Sequence, residues 1–478
     1  MAFLFVAVGA AIFKPVVVGT VARTTDETNS SMGFGIFYMM VNVGGFIGPI
    51  VAGFVRTKFG WEWVFYASSF WIACNFIWVV FFYKEPTTEA KSANPRSLGN
   101  VLSGIIEVFG NARFFILIAG LIILLMLGGK TLSLGWGMMG IIAVGWIVLN
   151  LIIDIPLRSN EKKSTKPVPE IIQPIKLHNW RFGLYLLILS GFWTSFNQIF
   201  ITMPEYIRDF VETKDIIETL QVIFGSGIVD IIANVNADVI ITFLNESLKT
   251  LSNVPPNPEQ ITEFIRHLRE LKVAVPEDML RDILISIQAS GGLENKELIK
   301  LSAEQLIKAG QQVNPEYIIN IDAGAIVVFQ VLVSWLISRF KPLPVMVVGI
   351  VISAIGIGAS AYLSSGIPIL IAITVFAFGE MMASPKSQEY VGRIAPPKKV
   401  AMYMGYYFIS IALGNIFGGR LSGELYHYFA VKLREPEIMW LIFGGIGILT
   451  AIAMILFNSF ALKSGDEMKK SALEEENL

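Results

Sequence analysis

The chain has 478 residues, a formal net charge of −1, 54% hydrophobic residues and only 16% charged residues. Soluble domains usually carry about 25% charged residues, so this composition excludes a soluble enzyme, a nucleic-acid-binding protein and a disordered chain, and it indicates a polytopic membrane protein. The single cysteine, Cys74, excludes an internal disulfide, and three histidines give little basis for a metal site, so neither a metal nor a cofactor is expected.

Eleven segments are apolar enough and long enough to cross a bilayer as helices, which takes about 20 residues each. We therefore predict an all-α fold. Several of these segments are rich in glycine, which lets helices approach closely within lipid. In chain order, the predicted spans are 1–22, 33–55, 61–83, 112–128, 133–153, 183–204, 317–338, 343–363, 367–388, 401–424 and 438–461.

The Lys and Arg residues of the short loops predict the orientation of the chain. They are concentrated on one side, for example in 158–181, whereas the short loops of the other side hold few, such as Arg56 and Lys130. We expect the first side, with the C-terminus, to be cytoplasmic. Eleven spans then place Met1 outside, so the chain is expected to begin part-way through a longer protein.

Residues 205–314 differ from the rest of the chain in being acidic and amphipathic. They contain 17 acidic and 10 basic residues, a net charge of −7, and their apolar residues recur at helical spacing. We predict a soluble helical insert on the extracytoplasmic side. Pro258 and Pro276 are predicted to begin helices, and Ser302 with Gln305 is predicted to form a capping box.

Charged side chains inside the predicted spans cost about 2.5–3.5 kcal/mol each on insertion scales, so each of them requires a reason. Lys14 and Glu380 lie near the centres of their spans, where we expect a functional role, and Asp322 lies nearer to one end of its span. Charges close to the interfaces can extend to water instead. We expect this of Lys386, Glu389, Arg420 and Glu424, the last two being paired at i, i+4.

A central cavity with a lysine and carboxylates suits a zwitterionic solute. The lysine can bind the carboxylate of the solute, and a Glu or Asp can bind its ammonium group. Burial also favours the neutral form of a carboxylic acid, so protonation can be coupled to solute binding, which is the physical basis of proton symport. No arrangement of catalytic groups competes with this interpretation, and we expect no enzymatic activity.

The segment FGIFYMMVNVGGF (34–46) resembles a signature of the proton-dependent oligopeptide transporters, a branch of the major facilitator superfamily. The matching positions are aromatic and small residues together with Tyr38 and Asn42. Further motifs of these transporters follow in the same order, among them FKP (13–15) and GE (379–380). The resemblance covers most of the chain outside the insert. Together with the helical spans, it implies that the membrane is the inner membrane of a bacterium.

The resemblance implies a major facilitator fold, in which two six-helix bundles are joined by a two-helix hairpin. Helices one to three of that fold, with the E-x-x-E-R-F motif of helix one, are expected to be missing from this chain. The implied division is 1–83 as a partial N-terminal bundle, 84–180 as cytoplasmic linkers with the hairpin 112–153, 181–204 with 315–462 as the complete C-terminal bundle, 205–314 as the insert and 463–478 as a cytoplasmic tail.

The resemblance also implies roles for particular residues. Lys14 matches a lysine near the carboxylate of the bound peptide, and Glu380 matches a glutamate that receives its amino group, with Asn314 as a helper. The residues implied to line the cavity are Tyr38, Asn42 and Trp193.

One position departs from the pattern of these transporters. They usually carry a glutamate just before the residue that corresponds to Gln198, but this chain has Asn197, which cannot carry a proton. Asp322, on the next span, can substitute for that glutamate. Asp322 and Glu380 are therefore the candidates for proton coupling.

The leading interpretation is a secondary transporter that takes up di- or tripeptides, or similar zwitterions, together with protons by alternating access. One alternative is a transporter-derived sensor or scaffold whose insert binds an external partner. Another is a uniporter of a different solute. The expected partners are the solute, protons and the lipid bilayer, and not nucleic acid.

Overall fold

The computed structural model describes residues 2–26, 28–83, 111–128, 134–163, 174–175, 179–251, 254–396 and 399–461. Within these ranges the regular structure is helical, and ten helices are long and apolar enough to cross a membrane. The predicted span 112–128 forms a shorter apolar helix, Ala112–Gly128. These helices confirm the prediction of an all-α polytopic membrane protein. The predicted linker residues 84–110 and the predicted tail 463–478 lie outside the described residues.

The first three helices are α1 (Ala2–Thr24), α2 (Ser30–Phe59) and α3 (Trp61–Phe82). A single residue, Gly60, joins α2 to α3 with φ at 94°, in a region that favours glycine. The side chains of α3 are not buried in the structure.

A helical hairpin follows, formed by α4 (Ala112–Gly128) and α5 (Trp136–Lys163). Buried polar groups join its two helices, since Arg113 donates to the carbonyl oxygen of Asn150 at 3.3 Å. The backbone N–H of Ile175 donates to Asp154 at 2.7 Å. The hairpin is thereby attached to the chain that leads into the next bundle.

The polypeptide then crosses the membrane through α6 (Trp180–Phe196) and the short α7 (Gln198–Ile201). Beyond them lies the insert, in which four helices surround a core of their own that includes Phe243, Leu268 and Leu284. The helices of the insert are α8 (Met203–Phe210), α9 (Lys214–Phe224), α10 (Gly227–Ile232), α11 (Ala237–Leu251), α12 (Pro258–Glu270), α13 (Glu277–Ala289) and α14 (Lys296–Gly310).

Two of the predicted helix starts in the insert are confirmed and one is wrong. Helix α12 begins at Pro258, where Asn257 and Gln260 form a capping box, and α13 begins directly after Pro276. Ser302 is not a cap, because it lies inside α14. The cap of α14 is Asn295, whose side chain accepts a hydrogen bond from the N–H of Leu298 at 3.1 Å.

The remaining helices complete the second bundle and pack closely. A Cβ atom on Gly356 would lie 2.6 Å from the backbone nitrogen of Phe376, so only glycine fits where these two helices cross. Such contacts provide the packing that apolar burial cannot supply within lipid. The helices are α15 (Pro315–Ile319), α16 (Ile321–Ile337), α17 (Pro342–Ala359), α18 (Gly366–Ile394), α19 (Val400–Leu425) and α20 (Pro436–Leu456).

Helices α1 and α2 pack against this bundle. Gly35 of α2 lies directly against Ser334 of α16, and a Cβ atom on Gly19 of α1 would lie 3.2 Å from the Cα atom of Ala401 in α19. The cavity described below lies between α2 and α16, near the C-terminal end of α2 and the N-terminal end of α16.

A buried ionic cluster joins α2 to α18 and corrects one prediction. Lys386 and Glu389 do not extend to the interface, because both side chains are 1% exposed and they pair at 2.9 Å. Glu389 also pairs with Arg393 at 2.5 Å, and Arg393 donates to Ser30 of α2 at 3.1 Å. The buried charge of Lys386 is compensated by Glu389 on the same helix. The linear sequence does not show whether such a pair is buried in the protein or exposed at the interface.

The predicted pairing of Arg420 with Glu424 is confirmed. The two side chains lie 3.5 Å apart on α19, and the side chain of Glu424 is half-exposed. The guanidinium of Arg420 also contacts the sulfur of Met139 at 3.8 Å. The hairpin and the second bundle therefore meet at this position.

Candidate functional site

A cavity of about 440 Å³ lies between α2 on one side and α15 and α16 on the other. Its volume is within the range of small-molecule sites. Its polar lining is concentrated at its two ends, and apolar residues lie between them. The lining residues are Asn42, Gly45, Pro49, Ala52, Gly53, Arg56, Trp61, Phe200, Pro204, Glu316, Ile319, Asn320, Asp322 and Ala323.

Asp322, Glu380 and Tyr38 meet at the inner end of this cavity. The carboxyl groups of Asp322 and Glu380 lie within hydrogen-bonding reach of each other, and the hydroxyl of Tyr38 donates to Glu380 Oε1. Asp322 is 1% exposed and Glu380 is 2% exposed. Three helices, α2, α16 and α18, thus bring together residues that lie far apart in the chain.

The helix break before α16 positions Asp322. The short α15 ends at Ile319, and the side-chain amide of Asn320 donates to the carbonyl oxygen of Phe46 in α2 at 2.9 Å. Asp322 therefore enters the first turn of α16 at the level of Phe46. Since α2 and α16 are held together at this level, the carboxyl group faces the space between the bundles.

The acidic pair has two oxygen atoms without a donor. Asp322 Oδ1 and Glu380 Oε2 are buried and accept no hydrogen bond from any residue that the structure describes. Two adjacent carboxylates repel each other in a low-dielectric interior, and unsatisfied buried oxygens are costly. A single proton held between the two groups would satisfy both oxygens, and so would an ammonium group from the cavity.

The structure places two further predicted residues in or near the cavity. Asn42 lines it and donates through its side-chain amide to the carbonyl oxygen of Tyr38 at 3.0 Å, one helical turn earlier. Tyr38 contacts the acidic pair directly. Of the residues predicted from the sequence, Tyr38, Asn42, Asp322 and Glu380 are brought together.

The structure does not bring Lys14, Trp193 or Asn314 into this cavity. Lys14 lies on α1 with an exposed side chain. Trp193 is 5% exposed and packs among aromatic rings of the second bundle, with its ring centroid 4.9 Å from that of Phe196. Asn314 accepts a hydrogen bond from the N–H of Glu316 and begins α15, so its side chain acts as a helix cap.

Asn197 and Gln198 lie at the break between α6 and α7. Gln198 is fully buried and donates to the carbonyl oxygens of Thr194 at 2.8 Å and of Gly418 at 3.2 Å. It therefore ties α7 to α19. The side-chain nitrogen of Asn197 is buried without a hydrogen-bond partner among the described residues.

Two charged residues at the outer end, Arg56 and Glu316, are not among the site residues predicted from the sequence. Arg56 directly follows the predicted span 33–55, and Glu316 directly precedes the predicted span 317–338. The opposite charges of Arg56 and Glu316, at the ends of two spans on the same side of the membrane, are the sequence signal that could have identified them. Within the described residues there is no group of three or more His, Cys, Asp or Glu side chains that could hold a metal ion.

The fold and this inter-bundle cavity define a transporter-like membrane protein, and sequence comparison gives the family. The family model of the Major Facilitator Superfamily matches residues 1–136 and 317–476, more than half of the chain. The chain therefore belongs to the Major Facilitator Superfamily. The gap in the match contains the insert, and the family and fold are those of membrane transporters.

Individual relatives match shorter segments. The multidrug resistance protein MdtH of Aeromonas hydrophila is 25% identical over 117 residues, which is 24% of this chain and 29% of that protein. The peptide transporter YePEPT of Yersinia enterocolitica is 37% identical over 65 residues, which is 13% of this chain and 12% of that protein. The chain thus spans about three tenths of the length of MdtH. The match to YePEPT confirms the predicted resemblance to peptide transporters.

A solved structure is also similar. It is a POT family transporter in complex with 5-aminolevulinic acid, which aligns with a TM-score of 0.48 and 14% sequence identity. The alignment covers 95% of this chain and 75% of that chain.

Proposed function

We propose that this chain forms the solute-binding part of a secondary transporter that carries small zwitterions, such as di- and tripeptides, together with protons. The observation that carries the proposal is the buried contact between Asp322 and Glu380 at the inner end of the cavity. Such a pair offers both a proton-binding site and a site for a solute ammonium group. The similarity to a peptide transporter supports the solute class.

The chemistry of coupling follows from the acidic pair binding a proton and the solute at the same time. A proton between Asp322 and Glu380 neutralises one negative charge and satisfies both unpaired oxygens. The negative charge that remains on the protonated pair can bind the ammonium group of the solute, so that proton and solute are carried in the same direction. Tyr38 donates to the other oxygen of Glu380 and keeps that carboxyl group oriented towards Asp322.

The packing around the cavity supports alternating access, in which two bundles rock around a central site. The cavity lies towards the insert, whereas the ionic cluster of Lys386, Glu389 and Arg393 joins α18 to Ser30 of α2. Opening that end would require this cluster to separate. By the predicted orientation, the cluster lies on the cytoplasmic side and the cavity opens to the outside.

Uptake of trialanine into proteoliposomes with an imposed pH gradient tests the proposal. We expect the complete wild-type protein that contains this chain to accumulate trialanine when the outside is acidic, and Asp322→Asn to lose accumulation while it still exchanges trialanine across the membrane. Glu424→Gln is the matched control, because it neutralises a half-exposed acid of α19 that lies away from the cavity. Unchanged accumulation by Asp322→Asn would contradict the proposed role.

A second candidate function is proton-coupled export of apolar cations. The similarity to MdtH favours it, and so do the aromatic residues Phe200 and Trp61, which line the same cavity as Asp322. An apolar cation and a zwitterion make different demands on the site, since only the zwitterion carries a carboxylate. Binding of tetraphenylphosphonium but not of trialanine would favour export of cations. Binding of trialanine but not of tetraphenylphosphonium would favour the zwitterion.

A further inference from the structure

The cavity carries charged groups at both ends. Asp322 lies at the inner end, and Arg56 and Glu316 line the outer end. The contact between Asn320 and Phe46 sets Asp322 at the level of Phe46 on α2, and a Cβ atom on Gly45 would lie 4.0 Å from that of Ala323. Arg56 follows Gly45 by eleven residues of α2, which corresponds to roughly 16 Å along the helix axis.

The guanidinium of Arg56 is held at the outer end. It lies over the ring of Trp61 at 5.1 Å from the ring centroid, at the turn that joins α2 to α3. A stacked guanidinium remains able to donate two parallel hydrogen bonds to a carboxylate. Arg56 makes no ion pair with any described residue.

The insert adds a second positive charge beside this end of the cavity. Burial lowers the pKa of Lys272, while the charge of Glu316 opposes that effect and the charge of Arg56 adds to it, so all three groups are close enough to interact. Lys272 follows α12 and has φ at 65°, which fixes its backbone in a left-handed turn. These three groups carry two positive charges and one negative charge, a balance that favours an anionic ligand at this end.

We infer that Arg56 binds the carboxylate of a zwitterionic solute whose ammonium group lies at Asp322. This assignment rests on the proposed function and deepens it, because it names the group that recognises the second charge of the solute. Lys14, which the resemblance implied for this role, is exposed and does not line the cavity.

The separation of the two ends sets the length of the solute. An extended peptide spans about 3.3–3.6 Å per residue, and the side chains of Asp322 and Arg56 shorten the distance of roughly 16 Å between their levels on α2. A peptide of three or four residues fits this distance. A free amino acid is too short to contact both Asp322 and Arg56.

Binding of trialanine and of its C-terminal amide to the full chain in lipid nanodiscs tests the inference. We expect Arg56→Gln to weaken binding of trialanine by about tenfold to hundredfold, and to leave binding of the amide unchanged. Arg56→Lys should restore part of the difference, because it keeps the charge. Arg339→Gln is the matched control, since Arg339 also stacks on a tryptophan, at 5.7 Å, but outside the cavity.

The outcomes separate this inference from the proposed function. Trialanine binding by wild type that Arg56→Gln leaves unchanged would overturn the role of Arg56 alone. An equal loss of trialanine and of its amide in Arg56→Gln would also overturn it, because the effect would not depend on the carboxylate. No binding of trialanine by wild type would overturn both the inference and the proposed function.

Discussion

The carboxyl groups of Asp322 and Glu380 lie within hydrogen-bonding reach of each other although 58 residues separate them in the chain. Groups that share one proton act as a unit, and the effects of removing them singly do not add. Each member of the pair has one buried oxygen, Asp322 Oδ1 and Glu380 Oε2, that accepts no hydrogen bond from a described residue. The functional consequence is that replacing either residue also changes the protonation of the other.

The first prediction concerns this pair. We expect Asp322→Asn and Glu380→Gln each to abolish uptake driven by the pH gradient, and the double variant to be no more impaired than either single variant. Initial rates of trialanine uptake in proteoliposomes measure this. Partial effects that multiply in the double variant would show that the two acids act independently.

The second prediction concerns the hydroxyl of Tyr38. Tyr38→Phe removes the donor to Glu380 and leaves a further buried oxygen unsatisfied, which should lower the free energy of unfolding by about 1–3 kcal/mol. Thermal unfolding in detergent measures the loss. Tyr362→Phe is the control, because Tyr362 is 75% exposed and its hydroxyl can bind water. Equal effects of the two substitutions would contradict the assignment.

The third prediction concerns the ionic cluster between α2 and α18. Glu389→Gln leaves Lys386 buried without its counter-charge, and breaking a buried pair in this way costs about 3–5 kcal/mol. Replacing both members of the pair, by Lys386→Met with Glu389→Leu, should cost less than the single change. Unfolding of the two variants measures the difference, and a double variant less stable than the single one would refute it.

The fourth prediction concerns the crossing of α17 and α18. Gly356→Ala places a methyl group 2.6 Å from the backbone nitrogen of Phe376, and such overpacking typically costs about 1–3 kcal/mol. Gly445→Ala on α20 is the matched control, since a Cβ atom there meets nothing within 4 Å. Thermal unfolding of both variants should show a loss only for Gly356→Ala.

The fifth prediction links the insert to the second bundle. Asp215 of α9 accepts hydrogen bonds from the backbone N–H groups of Gly366 at 3.1 Å and Ile367 at 2.8 Å, at the start of α18. Asp215→Ala should therefore cost about 0.5–2 kcal/mol, as loss of a helix cap does, whereas Asp215→Asn should retain most of the stability. Hydrogen exchange at residues 366–370 measures the effect, and equal protection in both variants would contradict it.

Much of the fold could be predicted because hydrophobic length is a local property. Each span is identified by its own run of about 20 apolar residues, without information from the rest of the chain. The starts of α12 and α13 follow from Pro258 and Pro276. The cap of α14 was misplaced because Ser302 has the right spacing to Gln305 but lies inside the helix. Spacing alone does not distinguish a cap from an interior serine.

The candidate site could be predicted only in part. The cost of a charge inside a span identifies Glu380 and Asp322 individually, but their contact depends on how three helices pack. The same dependence explains why Lys386 and Glu389 are buried together when exposure was expected. The resemblance implies Trp193 as a residue of the cavity, yet the packing of α6 against α19 places it among aromatic rings.

Arg56 shows a further limit of sequence reasoning. A basic residue at the end of a span is ordinarily counted as a loop charge that reports orientation. Its position opposite Glu316 becomes visible only when α2 and α15 are seen to face each other across the cavity.

Infrared difference spectroscopy of the full chain in lipid at neutral pH tests the shared proton most directly. We expect the wild-type chain to show the C=O stretching band of a protonated carboxylic acid, which remains when trialanine is added and is absent from the Asp322→Asn and Glu380→Gln double variant. A band that persists unchanged in the double variant, or that disappears when trialanine is added, would contradict a proton that Asp322 and Glu380 hold together with the solute.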